Sequence, residues 1–264
     1  MSMDIKILVS THKPYKMPED TSLYLPVQVG CDEVSERLGY QCDNTGDNIS
    51  YKHRWYSDLS AVYWGWKNLD CDYMGACHYR RYFVSSKKKP CKDKIFEYIL
   101  SREEVEALIK KCPVIVARKR NYFIETNEEQ YIHAHNKKDM DLCRQVVTEL
   151  YPDYLPKFNE VMGRTWQHKF NCFIMDRKHL DSYCTWLFSI LFEIEKRTDL
   201  DAYDVYQGRV LGYLAERLLD VWLEHDQVEF QEVKLAMLEK QNWLKKGTNF
   251  LKRKFFKSAR PFHE

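Results

Sequence analysis

The sequence lacks the features of a membrane-spanning, secreted or metal-binding protein. It has no run of about 18 apolar residues, the length that a helix needs to cross a bilayer. Its first residues enter a strand pattern directly and show no secretory signal. The nine cysteines are odd in number and include no Cys-x-x-Cys pair, which is typical of reduced thiols rather than of a disulfide or zinc framework. We therefore expect a globular cytoplasmic protein.

The net charge is small, +2, but it is unevenly distributed. Residues 234–264 contain nine Lys or Arg and two Asp or Glu, which leaves 32 basic and 37 acidic residues in the rest of the chain. Aromatic and aliphatic residues are interleaved with these cations, as in segments that lie on an anionic membrane. We predict one domain over 1–225 and a basic amphipathic helical tail over 226–264, with 234–260 as the membrane contact. Nucleic-acid binding through the tail is an alternative, which the acidic body disfavours.

Strands and helices alternate along the chain. Residues 5–10 are mainly apolar (Ile5, Ile7, Leu8 and Val9) and lead into the polar segment 11–13, as expected for a buried strand with a basic exit. Residues 55–68 place apolar side chains three and four positions apart and predict an amphipathic helix, after which a second buried strand follows at 72–78. This order predicts an α/β fold. Further predicted elements are strands at 113–117 and 170–175 and helices near 102–111, 176–197 and 206–225.

The second buried strand ends abruptly in His78-Tyr79-Arg80-Arg81-Tyr82. Ligands of α/β folds bind outside the carboxyl ends of strands, so these side chains lie where a ligand is expected. Guanidinium groups pair bidentately with phosphate oxygens, which makes two arginines and a histidine suited to a diphosphate. The alternative is that the arginines form structural salt bridges at the end of the strand.

Asp70-Cys71-Asp72 matches the Asp-x-Asp pattern with which many nucleotide-sugar transferases hold Mn²⁺ or Mg²⁺ against a diphosphate. Those carboxylates belong at the carboxyl end of a strand, whereas Asp70 and Asp72 precede one. Fixed cations such as Arg80 can neutralise a leaving diphosphate directly. We therefore predict a metal-independent diphosphate site without a cofactor, and a metal site at Asp70 and Asp72 is the alternative.

Other polar residues could complete such a site. Asp47 and Asn48 lie in a segment rich in turn-forming residues, and they either form an ordinary turn or contact a nucleotide. His135 lies two positions after His133 on a predicted helix, so the two rings face different directions and are poor joint zinc ligands. His135 is therefore either a substrate contact or an ordinary surface or core residue.

The predicted helix near 206–225 carries Arg209, Tyr213 and Glu216 on one face. Charges on a mostly apolar helix often form a structural ion pair. A carboxylate at a cleft could instead act as a general base. Our first candidate for the base is Glu216, and the second is Asp204 in the acidic loop that precedes the helix.

Six segments, in order and at fitting spacing, carry a resemblance to a known family: 7–15, 46–50, 56–68, 73–82, 171–175 and 209–217. They resemble a family of bacterial capsular and exopolysaccharide glycosyltransferases that was long catalogued as a domain of unknown function and includes galactofuranosyltransferases. Its most specific parts here are His-Tyr-Arg-Arg-Tyr and Gly-Tyr-Leu-Ala-Glu-Arg. Matching positions are occupied by His78, Arg80, Arg81, Tyr82, Asn171, Arg209, Glu216 and Arg217.

The resemblance implies a GT-A-like, Rossmann-type α/β fold with added C-terminal helices. It also implies a UDP-sugar donor, UDP-galactofuranose or UDP-galactose, and a lipid-linked oligosaccharide acceptor at the inner face of the cell membrane. We expect an inverting transfer, with a non-catalytic glycan-binding protein as the alternative. The donor-binding candidates are Thr11, His12, Lys13, Asp47, Asn48, His78, Arg80, Arg81 and Tyr82. The acceptor or substrate candidates are His135, Asn171 and Arg209.

Overall fold

The structure, a computed structural model, describes residues 3–85 and 92–238. Within them a nine-stranded sheet forms the centre and packs against helices. The strands are β1 (Ile5–Thr11), β2 (Tyr24–Gln28), β3 (Gln41–Cys42), β4 (Tyr73–His78), β5 (Arg81–Phe83), β6 (Val114–Ala117), β7 (Arg120–Asn121), β8 (Trp166–Gln167), β9 (Phe173–Asp176), β10 (Phe230–Val233) and β11 (Leu235–Met237). The helices are α1 (His53–Tyr56), α2 (Leu59–Asn68), α3 (Arg102–Ile109), α4 (Asn127–Ile132), α5 (Lys137–Leu150), α6 (Leu155–Gly163), α7 (Arg177–Lys196) and α8 (Val210–His225).

The main sheet has the order β10-β6-β9-β4-β1-β2-β3. Strands β3, β2, β1 and β4 are mutually parallel, and β10 is parallel to β6. Strand β9 runs antiparallel to both of its neighbours, β4 and β6. Strand β5 pairs with β4 and with β11, and β7 and β8 form a separate two-stranded ribbon. The predicted α/β class is confirmed.

The sheet is buried on both faces, which explains why three consecutive residues of β1, Ile7 to Val9, are apolar. Ile7 and Val9 point into one apolar cluster, whereas Leu8 between them points into the other. Strands buried in this way need no polar alternation. The same holds for Met74 and Cys77 of β4, which belong to opposite clusters.

Helix α2 approaches the sheet closely at Gly65. A Cβ atom there would lie 2.6 Å from Cδ1 of Leu8 and 2.8 Å from Sδ of Met74, so only glycine fits without movement of the core. Because α2 connects parallel strands, it runs from the carboxyl edge of the sheet back to the amino edge. The residue before its first turn, Asp58, therefore stands at the carboxyl edge.

The chain after α8 differs from the predicted helical tail. Residues 230–237 form β10 and β11, which add to the main sheet beside β6 and β5. Buried His168 ties this part to α8, because its ring contacts Asp220 of α8 and Glu232 of β10. The sheet thus extends beyond residue 225, the predicted end of the domain. Residues 230–237 adopt strand conformation because they pair with β6 and β5, which the local sequence pattern does not reveal. The remainder of the predicted tail, 239–264, lies outside the described residues.

Candidate active site

The exits of β1 and β4 lie side by side at the carboxyl edge of the sheet. Ser10 pairs with His78 in register, and the backbone N–H of Tyr79 donates to the carbonyl oxygen of Ser10 at 3.1 Å. The chain then folds back, so that Arg81 of β5 pairs with His78. The structure therefore brings together the polar exit of β1 and the His-Tyr-Arg-Arg segment.

The polar exit of β1 is a short turn next to Tyr79. The hydroxyl of Thr11 donates to the carbonyl oxygen of Lys13 at 2.7 Å and closes the turn. The ring of His12 stands edge-on to the Tyr79 ring at 5.6 Å, and Nζ of Lys13 lies 5.4 Å from the same ring. These three predicted donor contacts border the cluster at the end of β4.

Asp58 lies within this edge, although no role was predicted for it. Its Oδ1 atom is 3.9 Å from Nε2 of His78, and its side chain is 24% exposed. Burial raises the pKa of this carboxyl, but nearby His78, Arg209 and Arg81 lower it by more, so the net pKa lies below its ordinary value. Asp58 is thus an ionised carboxylate surrounded by basic side chains.

The pKa of His78 lies well below its ordinary value, so the ring is neutral at physiological pH. Burial lowers its pKa, Asp58 raises it, and the charges of Arg81 and Arg80 lower it again, to about 4. The backbone N–H of Arg80 donates to Nδ1 of His78 at 3.3 Å, which leaves the imidazole proton on Nε2, the atom nearer Asp58. His78 offers a hydrogen bond, and the positive charge is supplied by the arginines.

Ser57 fixes the entrance to α2 with an unusual backbone conformation, φ 53° and ψ −135°. Nε of Arg209 donates to its hydroxyl at 2.9 Å. Helix α8 comes close at Gly212, where a Cβ atom would lie 3.2 Å from both Cβ and Oγ of Ser57. The contact between α8 and this turn brings Arg209 beside Asp58. Ser57 and Asp58 lie in the resembling segment 56–68, which was the one signal that could have identified them.

Phe170 and Asn171 precede β9 with φ angles of 79° and 48°, both in the left-handed region. The guanidinium carbon of Arg81 lies 4.3 Å from the centre of the Phe170 ring. The side-chain amide of Asn171 donates to the carbonyl oxygen of Gly212 at 3.3 Å. Its Oδ1 atom is buried and has no hydrogen-bond partner in the described part of the chain. Asn171 is therefore at the cluster, with an acceptor that a ligand hydroxyl could satisfy.

The two candidate bases have different surroundings. Glu216 is 17% exposed, and its Oε2 atom is 3.8 Å from Nζ of Lys169 and from Nη1 of Arg217. Both distances are longer than a hydrogen bond, so neither cation donates a hydrogen bond to this oxygen. Exposed Asp204 instead accepts the backbone N–H groups of the two residues that follow Val205, at 2.9 and 2.8 Å. Asp204 caps the turn before α8, and Glu216 remains the better candidate.

His135 belongs to an aromatic patch that borders Arg209. Its ring stacks on Tyr213 at 4.1 Å and on Tyr206 at 5.4 Å. Its Nδ1 atom is 3.2 Å from Oε1 of Gln207. The guanidinium carbon of Arg209 lies 5.7 Å from the Tyr213 ring, so the structure places His135 and Arg209 on adjoining surfaces.

Three predicted donor contacts do not join the cluster. Tyr82 is fully buried in the apolar core, where β5 directs its ring away from the site. Asp47 accepts a hydrogen bond from the hydroxyl of Tyr63, and its backbone N–H donates to Asn68. Asn48 hydrogen-bonds within its own turn. Asn68 ends α2 whereas the cluster lies at the start of this ten-residue helix, about 15 Å away.

Asp70 and Asp72 lie at the amino edge of the sheet. Oδ2 of Asp72 accepts the backbone N–H of Asp4 at 2.8 Å. A depression of about 550 Å³ beside them is also lined by Asp176 and Lys178. The six residues of β4 span about 20 Å and separate these carboxylates from His78. In residues 3–85 and 92–238, no group of three or more His, Cys, Asp or Glu is arranged to hold a metal ion.

The fold and this edge define a class of protein. The apo structure of WbbM, described as a bifunctional glycosyltransferase, matches the chain with a TM-score of 0.80 and 27% sequence identity. The match covers 90% of this chain and 46% of that one, so this chain spans about half the length of WbbM. The chain therefore has the GT-A-like fold of a glycosyltransferase, as predicted.

Family membership follows from the sequence match. The family described as a domain of unknown function, DUF4422, matches residues 6–227, which is most of the chain. The protein belongs to this family. No curated protein matches the chain significantly.

Proposed function

We propose that this protein is a glycosyltransferase that uses a UDP-sugar as its donor. The observation that carries the proposal is the cluster of Arg80, Arg81 and Arg209 around His78 and Asp58 at the carboxyl edge. Ligands bind at this edge in α/β folds, and guanidinium groups match the geometry of phosphate oxygens. The similarity to a glycosyltransferase structure supports the same conclusion.

The proposed reaction is a single displacement. The oxygen of an acceptor hydroxyl forms a bond to the anomeric carbon of the sugar while the bond from that carbon to the diphosphate oxygen breaks. The electron pair of the broken bond leaves on UDP, where Arg80 and Arg81 stabilise the charge. The proton of the hydroxyl passes to Glu216 as general base. Attack opposite the leaving group inverts the configuration at the anomeric carbon.

The arginines support a metal-independent mechanism without a cofactor. Nε of Arg81 is buried and has no hydrogen-bond partner among residues 3–85 and 92–238. The guanidinium group packs on the Phe170 ring, which restricts its position. A charged group held in this way needs little reorganisation when a diphosphate arrives. Asp70 and Asp72, at the opposite edge, would take no part.

The substrates in this proposal are UDP-galactofuranose or UDP-galactose and a lipid-linked oligosaccharide of capsule, exopolysaccharide or O-antigen synthesis. His135, Asn171 and Arg209 would contact the acceptor. The enzyme would be cytoplasmic and peripherally associated with the inner face of the membrane. Residues 234–260 would bind the anionic membrane surface. No helix of the described residues is long and apolar enough to span a membrane.

A thermal-shift screen tests the proposal. UDP and UDP-sugars should raise the melting temperature, since a ligand that binds only the folded state stabilises it. Adenosine and guanosine diphosphates and free oligosaccharides serve as comparisons. Stabilisation by an oligosaccharide and by none of the nucleotides would contradict the proposal and indicate a glycan-binding protein.

A further inference from the structure

The segment 118–124, which contains β7 and leads to α4, combines positive charge with exposed apolar side chains. We call it the basic-aromatic loop. It reads Arg-Lys-Arg-Asn-Tyr-Phe-Ile and has three cations and no acidic residue. Phe123 is 81% exposed and Ile124 is 48% exposed. Neighbouring large apolar side chains held in solvent in this way are a feature of contact surfaces.

The backbone holds the Phe123 ring outward. Phe123 has a φ of 62°, and the N–H of Ile124 donates to the carbonyl oxygen of Tyr122 at 2.7 Å, which is a γ-turn of the rarer, strained hand. The side chain of Asn121 supports this turn by accepting the N–H of Phe123 at 2.7 Å. Strain of this kind persists only where the surrounding structure imposes it, and it concentrates at functional segments.

We infer that the basic-aromatic loop docks on the surface of an anionic lipid bilayer. Phe123 and Ile124 enter the boundary below the headgroups, and the cations that precede them meet lipid phosphates. Trp166 pairs with Asn121 across the ribbon, and Nζ of Lys119 lies 4.5 Å from its ring. Tryptophan is enriched at the level of the headgroups. Stacking on a sugar ring would use Phe123 alone and would need neither the adjacent Ile124 nor the cations.

The loop borders the candidate active site. Nζ of Lys169 lies 5.5 Å from the ring of Tyr122 and 3.8 Å from Oε2 of Glu216. A bilayer that receives Phe123 is therefore close to the candidate base, where a lipid-linked acceptor would be presented. The biological role of the basic-aromatic loop rests on the proposed function at the membrane. Its binding to lipid can be measured without any sugar transfer.

The test is flotation of the full chain with vesicles of phosphatidylglycerol and phosphatidylcholine in equal parts, and with vesicles of phosphatidylcholine alone. The unchanged protein should float with the anionic vesicles and be released by high salt. Phe123→Ser should weaken this partitioning about tenfold, because the variant loses one large apolar side chain that the bilayer would bury. Phe123→Trp should retain it. Leu150→Ser is the matched control, because Leu150 is 44% exposed and stands beside the acidic Glu149.

Equal flotation of the unchanged protein and Phe123→Ser would overturn the inference, as would equal flotation with both kinds of vesicle. Weakening by Leu150→Ser to the same degree would also overturn it. A Phe123→Ser variant that floats normally but has a raised KM for a water-soluble acceptor would assign the loop to the acceptor instead. Failure of UDP to bind would contradict the proposed function and leave the flotation result standing.

Discussion

Asp58 and His78 form a pair in which the carboxylate is charged and the imidazole is neutral. Oδ1 of Asp58 lies 3.9 Å from Nε2 of His78, yet burial and the adjacent arginines hold the pKa of His78 at about 4. A neutral ring in this position can orient a carboxylate or a ligand without adding charge. The arginines and Lys13 then supply the positive charge that attracts an anion, and the charge of Asp58 opposes it.

We expect His78 to make stability depend on pH between about 6.5 and about 4. In this window the unfolded chain binds a proton on the imidazole and the folded protein does not, so stability falls as pH falls. The shift corresponds to about 3 kcal/mol of unfolding free energy. Urea unfolding measures the free energy of unfolding at the two ends of the window. Its loss on acidification should be smaller in His78→Gln than in the unchanged protein by about this amount. The same loss in both proteins would show that His78 is not the group responsible.

Arg80→Ala and Arg81→Ala should each weaken UDP binding about ten- to a hundredfold, because one charge-assisted hydrogen bond contributes roughly 1.5–3 kcal/mol. Isothermal titration calorimetry measures the affinity. Arg102→Ala is the matched control, since Arg102 begins α3 and its guanidinium lies 3.3 Å from the hydroxyl of Ser22, just before β2 and away from the cluster. Normal UDP binding by both folded variants would make the two arginines structural.

Ser57→Gly and Ser57→Ala both remove the hydroxyl that receives the Arg209 hydrogen bond, so both should lower activity. They should differ in stability, because glycine accepts a φ of 53° and alanine does not. The strain that glycine relieves is about 1–3 kcal/mol. Glycine also gives the unfolded chain more conformational entropy, which offsets part of this gain, so we expect the glycine variant to be more stable than the alanine variant by about 1 kcal/mol. Chemical denaturation measures the difference, and a more stable alanine variant would contradict the assigned strain.

Glu216→Gln should lower kcat at least about a hundredfold while leaving donor affinity nearly unchanged, since the amide keeps the shape but cannot accept the proton. Asp204→Asn provides the comparison. Its oxygen is engaged with backbone N–H groups, so kcat should change little. A folded Glu216→Gln enzyme with unchanged kcat, together with an inactive Asp204→Asn enzyme, would transfer the role of base to Asp204.

UDP binding and sugar transfer should both survive EDTA. The expectation rests on the arginines at the end of β4, which can neutralise the diphosphate themselves. Asp70→Ala should have little effect on either measurement, because Asp70 lies at the amino edge of the sheet. Loss of both activities in EDTA and their recovery with Mn²⁺ would establish the metal-dependent alternative.

The strands of the central sheet could be predicted because burial on both faces leaves a local signature, the adjacent apolar residues of β1 (Ile7 to Val9) and the uncharged run of β4. Strand β10 could not, because residues 230–233 mix apolar and polar side chains and become a strand only through the edge that β6 offers. The reversed direction of β9 is likewise set by tertiary packing.

The candidate site divides in the same way. The His-Tyr-Arg-Arg segment was identified because its position after a strand can be deduced locally. Asp58 was missed because it becomes a site residue only when α8 approaches Ser57 through Gly212, more than 150 residues later in the chain. The neutral state of His78 also depends on burial that no local pattern reveals.

The backbone N–H of Leu238 donates to the carbonyl oxygen of Arg80 at 2.9 Å, and Met237 pairs with Arg81 across β11 and β5. The last described residues are thus tethered to the arginines that would hold the diphosphate. A ligand that displaces the chain at Leu238 would act on Arg80 through this backbone hydrogen bond and through the pairing of β11 with β5. If a ligand bound at Leu238 changes the affinity for the donor by some factor, the donor must change the affinity for that ligand by the same factor. Attachment of this part of the chain to a surface would then depend on whether the donor site is occupied.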